Sequence, residues 1–391
     1  MSIGFSTAKG NSVTICARQS KGLVMTIEAD NCAAYRVAVI GYGIGGAVFH
    51  APLVSAVPGL NLSAIVTRSA EKTEQARRDW PQAKIIGSAE EVFAGAKDYD
   101  LVVITSPNRY HYSQAKAALE AGLHVVIDKP MATNSQHCLE LIALAKKQNR
   151  LLTVFHNRRL DGDFLTIQKI MQEDLLGQIV RFESRFERYR PQPKPGAWRE
   201  LGSPEDGGGL LLDLGSHLID QACHLFGRPQ EVYCELDRRR EGVAVDDDCF
   251  VALSFASGVR AHLWSSVLCR IKGPRFRLLG HRGSFEKYGM DPQEEALRAG
   301  MRPSVTAGAQ AWGRDEEALW GSLNTEVDGL VVQGKIETLP GSYPSFYEDL
   351  LAALRAVPGA APPVDPQDAW QTATILEAAL RSSEQKTVVR I

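Results

Sequence analysis

The chain lacks any apolar stretch near the roughly 18–20 residues that a membrane-spanning helix needs, so the sequence is read as non-spanning. It also lacks a cysteine framework. The seven cysteines (Cys16, Cys32, Cys138, Cys223, Cys234, Cys249 and Cys269) are odd in number and none pair as CxxC. That argues against a disulfide scaffold or zinc ribbon and fits small apolar side chains in a reducing cytoplasm. Excess charge is missing too: 44 Lys and Arg against 46 Asp and Glu leave a net charge of −2, which offers no long-range attraction to nucleic acid or to a membrane surface. The one arginine cluster, DRRRE at 237–241, reads as a solvated strand end. There is no internal repeat and no low-complexity segment. Residues 1–34 lack the features of a secretion signal, since the GLVMTI run at 22–27 is too short and poorly flanked. They read as a loosely ordered extension, with Met25 as a candidate original start.

What is present is enough chain for two domains, because 391 residues exceed one comfortable core. The reading is α/β, divided at 35–152 and 153–391. From Arg36, short continuously apolar strands (RVAVIG, LSAIVT, AKIIG, DLVVIT, HVVI) alternate with helical segments. Strands of that kind imply a parallel sheet covered on both faces, a doubly wound Rossmann domain. Ser69 is placed to cap one helix and Gly122 to end another. After about residue 152, longer alternating segments such as QIVRFESRFERYR and CFVALSFASGVRAHLWSSV take over. They predict a C-terminal α+β domain with a large, open-faced, mostly antiparallel sheet. A hairpin turns at Ser257-Gly258, and two amphipathic helices close the chain.

Three constellations carry chemistry. Gly41-Tyr42-Gly43-Ile44-Gly45-Gly46 fits G-x-G-x-x-G and sits between an apolar strand and a helix, the context in which that pattern binds a dinucleotide. Gly41 allows the tight turn, Gly43 lets the backbone approach a pyrophosphate, and Gly46 lets helix and strand pack. At the end of the second strand stand Thr67, Arg68 and Ser69, with no carboxylate to take a ribose hydroxyl and a guanidinium to grip a 2′-phosphate. NADP is therefore preferred over NAD. Ser106, Pro107 and Asn108 leave the next strand on the cofactor side, and His111 opens the following helix either to touch the cofactor or only to pack.

The second constellation is HVVIDKP. An apolar strand ends by projecting Asp128 and Lys129, and Pro130 keeps the backbone extended behind them. Ligands of an open parallel sheet lie outside the strands' carboxyl ends, so Lys129 emerges beside the nicotinamide. The third is GGGLLLDLGSHLIDQACHLFG at 207–227. There Asp213 and His217 stand i, i+4 on a helix, where a carboxylate can orient an imidazole that acts as a general base. A helix with an incidentally paired histidine is the bland alternative. A metal site of Asp213, His217 and His224 lacks a further ligand cluster.

These residues together resemble the Gfo/Idh/MocA family of NAD(P)-dependent oxidoreductases. The resemblance rests on the glycine turn, the DKP triplet and D-x-x-x-H, and on the stretches GYGIGGAVFHAPL, FHNRRLDGDFLTI, RYRPQPKPGAWRE and GSFEKYGMDPQEEALRAG. It covers about residues 35–390 and is closer to the NADP-dependent scyllo-inositol dehydrogenases and their near relatives. It implies Lys129, Asp213 and His217 as the catalytic set. It also implies a pocket for a small polyol or sugar lined by His156, Asn157, Arg158, Tyr189, Arg190 and Trp198, and a homodimer or higher homo-oligomer through the second sheet. Two features depart from the pattern: the triplet begins with Asp128 where the family usually has Glu, and the extension at 1–34 has no counterpart. Two other activities fit the same scaffold, a cofactor-dependent glycosidase and a non-catalytic metabolite sensor.

Overall fold

The computed structural model describes residues 33–193, 200, 207–303, 312–356 and 361–391. The expectation for the extension falls, apart from its last two residues, outside them. The apolar runs of the first part become six strands: β1 (Tyr35–Ile40), β2 (Leu60–Val66), β3 (Lys84–Ile86), β4 (Leu101–Ile104), β5 (His124–Asp128) and β6 (Leu152–Phe155). All pair in parallel, in the order β3-β2-β1-β4-β5-β6. Strand order reverses between β1 and β4, which opens a crevice beyond their carboxyl ends. The intervening helices are α1 (Ala51–Ala56, entered through a π-helical turn at Gly45–His50), α2 (Ala70–Asp79), α3 (Ala89–Ala94), α4 (His111–Glu120) and α5 (Ser135–Gln148). Local chemistry sets their ends. Ser69 caps α2 by accepting from the Lys72 amide at 3.3 Å, as expected, and Asn134 caps α5 by accepting from the His137 amide at 2.8 Å. Gly122 follows α4 at a φ of 79°.

The second sheet has nine strands: β7 (Ile179–Glu187), β8 (Pro229–Asp237), β9 (Asp248–Phe255), β10 (Arg260–Ser266), β11 (Phe276–Gly280), β12 (Gly283–Lys287), β13 (Gly321–Val327), β14 (Leu330–Ile336) and β15 (Val389–Arg390). Their order is β14-β13-β12-β11-β7-β10-β9-β8-β15, antiparallel except where β7 meets β10. The hairpin joining β9 to β10 turns through Gly258 at a φ of 90°. Strand β9 alternates buried and half-buried residues along its whole length, so one face is dry. That face packs on α6 (Gly162–Gln172) and α7 (Ser216–Phe226) through Phe164, Phe182, Leu218, Val251, Leu263 and Phe276. Each such side chain contributes on the order of 1.5–3 kcal/mol of burial.

A short helix, α8 (Gln293–Arg298), precedes β13. The two closing helices bind the sheets together. Helix α9 (Tyr343–Arg355) buries Tyr343, Phe346, Tyr347 and Leu350 against Val37, Val39 and Val103 of the first sheet. Helix α10 (Pro366–Gln385) places Ala369 and Ala373 in the first sheet's core and Ile375, Leu376 and Ala379 in the second's. One expectation needs correcting. Arg238 and Arg239 are solvated, but Arg240 is buried, with Nε donating to Asp247 at 2.9 Å and Nη1 to Glu200 at 3.0 Å. Burial of a guanidinium is tolerated there because two carboxylates meet it.

Candidate active site

The glycine turn leaves β1 with Gly41 at a φ of 100°, where a Cβ would also lie 2.9 Å from the Thr105 hydroxyl. That hydroxyl donates to the Gly41 carbonyl at 2.8 Å and pins the turn to β4. A Cβ on Gly46 would sit 2.0 Å from the Gly41 carbonyl oxygen, so the third glycine is a packing requirement. Gly43 is different: nothing lies within 4 Å of where its Cβ would be. Its backbone borders open space, a cradle that a pyrophosphate can approach. Ile44, Thr67 and Arg68 line the same space, and among the described residues the exposed Arg68 guanidinium makes no ion pair. Tyr42 packs behind the turn with its hydroxyl donating to Asp79 at 3.3 Å. These residues fit a phosphorylated dinucleotide.

The cleft continues past the turn to Lys129, Asn157, Arg158, Asp213 and His217, with a volume of about 1580 Å³. A site for one small ligand holds roughly 300–1,000 Å³, so the cleft has room for a dinucleotide and a second, smaller molecule. Lys129 leaves β5 and reaches into the second half of the chain. Its Nζ donates to Asp213 Oδ1 at 2.8 Å and to the Asp213 carbonyl, and its side chain is 12% exposed. Asp213 lies in a π-helical turn, Leu211–Gly215, which runs directly into α7 and its second residue, His217.

The expected Asp213–His217 orientation is not what the structure holds. The Asp213 carboxylate engages the Lys129 ammonium, while His217 Nδ1 is buried without a hydrogen-bond partner. The wider π-helical turn breaks the regular i, i+4 stacking on which that expectation rests. Burial drives the His217 imidazole well below its ordinary pKa, and the positive charges of Lys129, Arg158, His156 and Arg275 push it the same way. A neutral ring is what a general base requires. Because Nδ1 is enclosed, Nε2 is left for the cleft.

The remaining expected residues divide. Ser106, Pro107, Asp128 and Arg190 line the cleft. Burial pushes the Asp128 carboxyl up, but His50, Lys129 and His111 around it more than reverse that and leave it below the usual range. Arg158 is buried and held by the Tyr343 hydroxyl at 2.9 Å and by Glu294. Ser69, Asn108, His111, His156 and Tyr189 do not line it. Ser69 is occupied as a helix cap. Asn108 is buried and donates to the Gly207 carbonyl at 3.0 Å. His111 is buried with Nδ1 2.7 Å from the Pro130 carbonyl and Nε2 2.8 Å from the Ser106 carbonyl, so it braces two strand ends. His156 is buried 3.7 Å from Asp220, and Tyr189 is exposed beneath Arg270 at 4.0 Å. Trp198 lies outside the described residues. Among those residues Asp213, His217 and His224 form no cluster able to hold a metal.

Sequence reasoning missed three residues around the site. His50 is fully buried, with Nδ1 2.5 Å from the Tyr347 hydroxyl and Nε2 4.0 Å from Asp128. Its place four residues after the glycine turn is the available signal. Arg188 and Arg275 both line the cleft. Arg188 stands two residues before Arg190 in an extended segment, a spacing that puts both on one side. Nothing in the local sequence marks Arg275.

Comparisons with known proteins agree with this fold. The oxidoreductase family with an NAD-binding Rossmann fold, GFO_IDH_MocA, matches residues 35–156. The GFO/IDH/MocA C-terminal domain matches residues 164–286. Oxidoreductase YdgJ of Escherichia coli K12 is 38% identical over 355 residues, 90% of this chain and 98% of its own. The scyllo-inositol 2-dehydrogenase (NADP(+)) IolW of Bacillus subtilis 168 is 36% identical over 362 residues, 91% of this chain and 96% of its own. Among solved structures, oxidoreductase yvaA from Bacillus subtilis superposes with a TM-score of 0.83 at 34% identity, covering 92% of this chain and 99% of that one.

Proposed function

This chain belongs to the Gfo/Idh/MocA family of oxidoreductases, and on that premise we propose that it transfers a hydride reversibly between NADP(H) and a secondary alcohol or ketone of a cyclitol or sugar, a scyllo-inositol-like polyol. The observation that carries this reading is the convergence of Lys129, from the first sheet, and His217, from the second half, on one cleft that also holds the glycine turn. A nicotinamide, when bound, supplies the hydride acceptor. His217, held neutral, takes the hydroxyl proton at Nε2. The Lys129 ammonium donates to the same substrate oxygen and stabilises its developing charge, and Asp213 positions that ammonium. Asn157 and Arg158 line the cleft and are proposed to bind further hydroxyls.

NADP is preferred because Thr67 and Arg68 end β2 without a carboxylate, leaving a cation with no ion pair among the described residues to receive a 2′-phosphate. The name of the Bacillus subtilis relative points the same way. No helix among the described residues is long and apolar enough to cross a membrane, and a cytoplasmic enzyme is proposed. A homodimer or higher homo-oligomer is proposed through the open face of the second sheet, where Phe250, His262 and Trp264 cluster. The test is a panel of cyclitols and aldoses followed by reduced-nicotinamide absorbance with NADP and with NAD. Turnover of at least one polyol, faster with NADP, is expected. Tight cofactor binding with no turnover on any member overturns the assignment.

A further inference from the structure

The cations around the reacting end of the cleft are not equally satisfied. Lys129 has Asp213, Arg158 has Glu294 and Arg190 has Glu200. Arg275 is buried among neutral acceptors, donating to Ser184 and Gln221, with Nε unpartnered. Arg188 is the extreme case. Its backbone is fixed, the amide donating to the Ser266 carbonyl and the carbonyl accepting from the Cys269 amide. Its guanidinium, which lines the cleft, has no hydrogen-bond or ion-pair acceptor among the described residues. Nearby acids are engaged elsewhere: Glu294 with Arg158 and Arg298, Asp291 with the amides of Gly162 and Gln293, and Glu187 with the Gly273 amide. Burial lowers the Arg188 pKa, and the charges of Asp213, Arg190, Glu294 and Arg158 also act on it. It therefore stands in the same electrostatic neighbourhood as the Lys129 partner.

A half-buried guanidinium with no protein acceptor offers its donors to whatever enters the cleft, water or ligand. The proposed reading assigns the cofactor's phosphates to the other end, at the glycine turn and Arg68. Resting on the proposed polyol chemistry for its choice of ligand, we infer that Arg188 is a ligand-reading residue whose planar fork binds a pair of adjacent oxygens on the small molecule held in the cleft. A vicinal diol of a polyol and the carboxylate of a sugar acid both present such a pair. The site then selects for molecules that carry such an oxygen pair.

The experiment is a chemical double cycle on the NADPH-loaded protein, read by titration calorimetry, with scyllo-inositol, a monodeoxy analogue, glucose and glucuronate as probes. The expected loss for wild type on removing one hydroxyl of the pair, and for Arg188→Ala on intact scyllo-inositol, is about 10- to 100-fold in affinity, the size of hydrogen bonds to a charged group. The two losses together are expected to be no larger than either alone. If the pair is a carboxylate, glucuronate binds more tightly than glucose and that preference vanishes in Arg188→Ala. Additive losses combined with an unchanged glucuronate-to-glucose ratio overturn the inference. Arg188→Lys, which keeps the charge and loses the fork, is expected to recover only part of the affinity. The Arg188 side chain bonds to nothing in the described fold, so its removal strands no partner, and an unshifted melting curve is expected. Binding that depends on Arg188 with no turnover would defeat the hydride-transfer reading and leave this inference standing.

Discussion

The glycine turn and the side-chain wall that carries Lys129 and Asp213 are two ways of building one cleft. The turn borders the cleft with backbone atoms of consecutive residues, and its demands are steric: a Cβ on Gly46 would meet the Gly41 carbonyl, whereas one on Gly43 would meet open space. The wall is made of side chains brought together from far apart. Lys129 and Asp213, bonded at 2.8 Å, are separated by 84 positions, and Arg158, Arg188 and Arg275 come from three further segments. The backbone turn is written largely in one local run of residues, with Thr105 of β4 as its distant brace. Recognition by side chains depends on which distant partners the fold brings together, as the pairing of Asp213 with Lys129 shows.

The largest effect that separates the two regions is expected from Lys129→Ala. Turnover should fall on the order of 10²–10⁴-fold while cofactor affinity stays near the wild-type value, because the lesion lies on the wall and not in the turn. Loss of cofactor binding by calorimetry would erase the distinction. Arg68→Ala should act in the opposite sense, raising the Michaelis constant for NADP by about 10- to 100-fold with little change for NAD. Equal changes for both cofactors would remove Arg68 from the phosphate site.

Two glycine substitutions sharpen the contrast within the turn. Gly46→Ala must displace the Gly41 carbonyl and should destabilise the fold by roughly 1–3 kcal/mol, seen as a lower melting temperature. Gly43→Ala has space for its methyl and should leave melting unchanged while weakening NADP binding. Identical melting shifts in the two variants would contradict the assigned roles.

The smallest effect is in pH. His217 is depressed in the folded state, so the unfolded chain binds more protons as pH falls through the ordinary imidazole value of about 6.5, and stability declines below it. Activity that needs the neutral ring should keep its acid limb below that value. A limb at or above it would mean that a different group is the base.

Much of the fold and part of the site are legible in the order of residues alone. The strand that ends at Asp128 and delivers Lys129, the Ser69 cap and the Gly258 turn each follow from a few neighbouring residues. What is not legible depends on distant partners. Nothing near His111 announces that its two ring nitrogens meet the carbonyls of Ser106 and Pro130. The DRRRE run gives no hint that Arg240 is buried between Asp247 and Glu200. The π-helical turn that separates Asp213 from His217 is a backbone irregularity that residue spacing does not encode.

The most direct measurement is a kinetic double-variant cycle with NADP and the best polyol of the panel, comparing Lys129→Ala, His217→Ala and the combined variant. If the ammonium and the imidazole act on one oxygen as a unit, each single variant loses most of the turnover and the combined variant loses little more. Wild-type turnover in either single variant, or fully multiplicative losses, would show that the two side chains do not serve the same step.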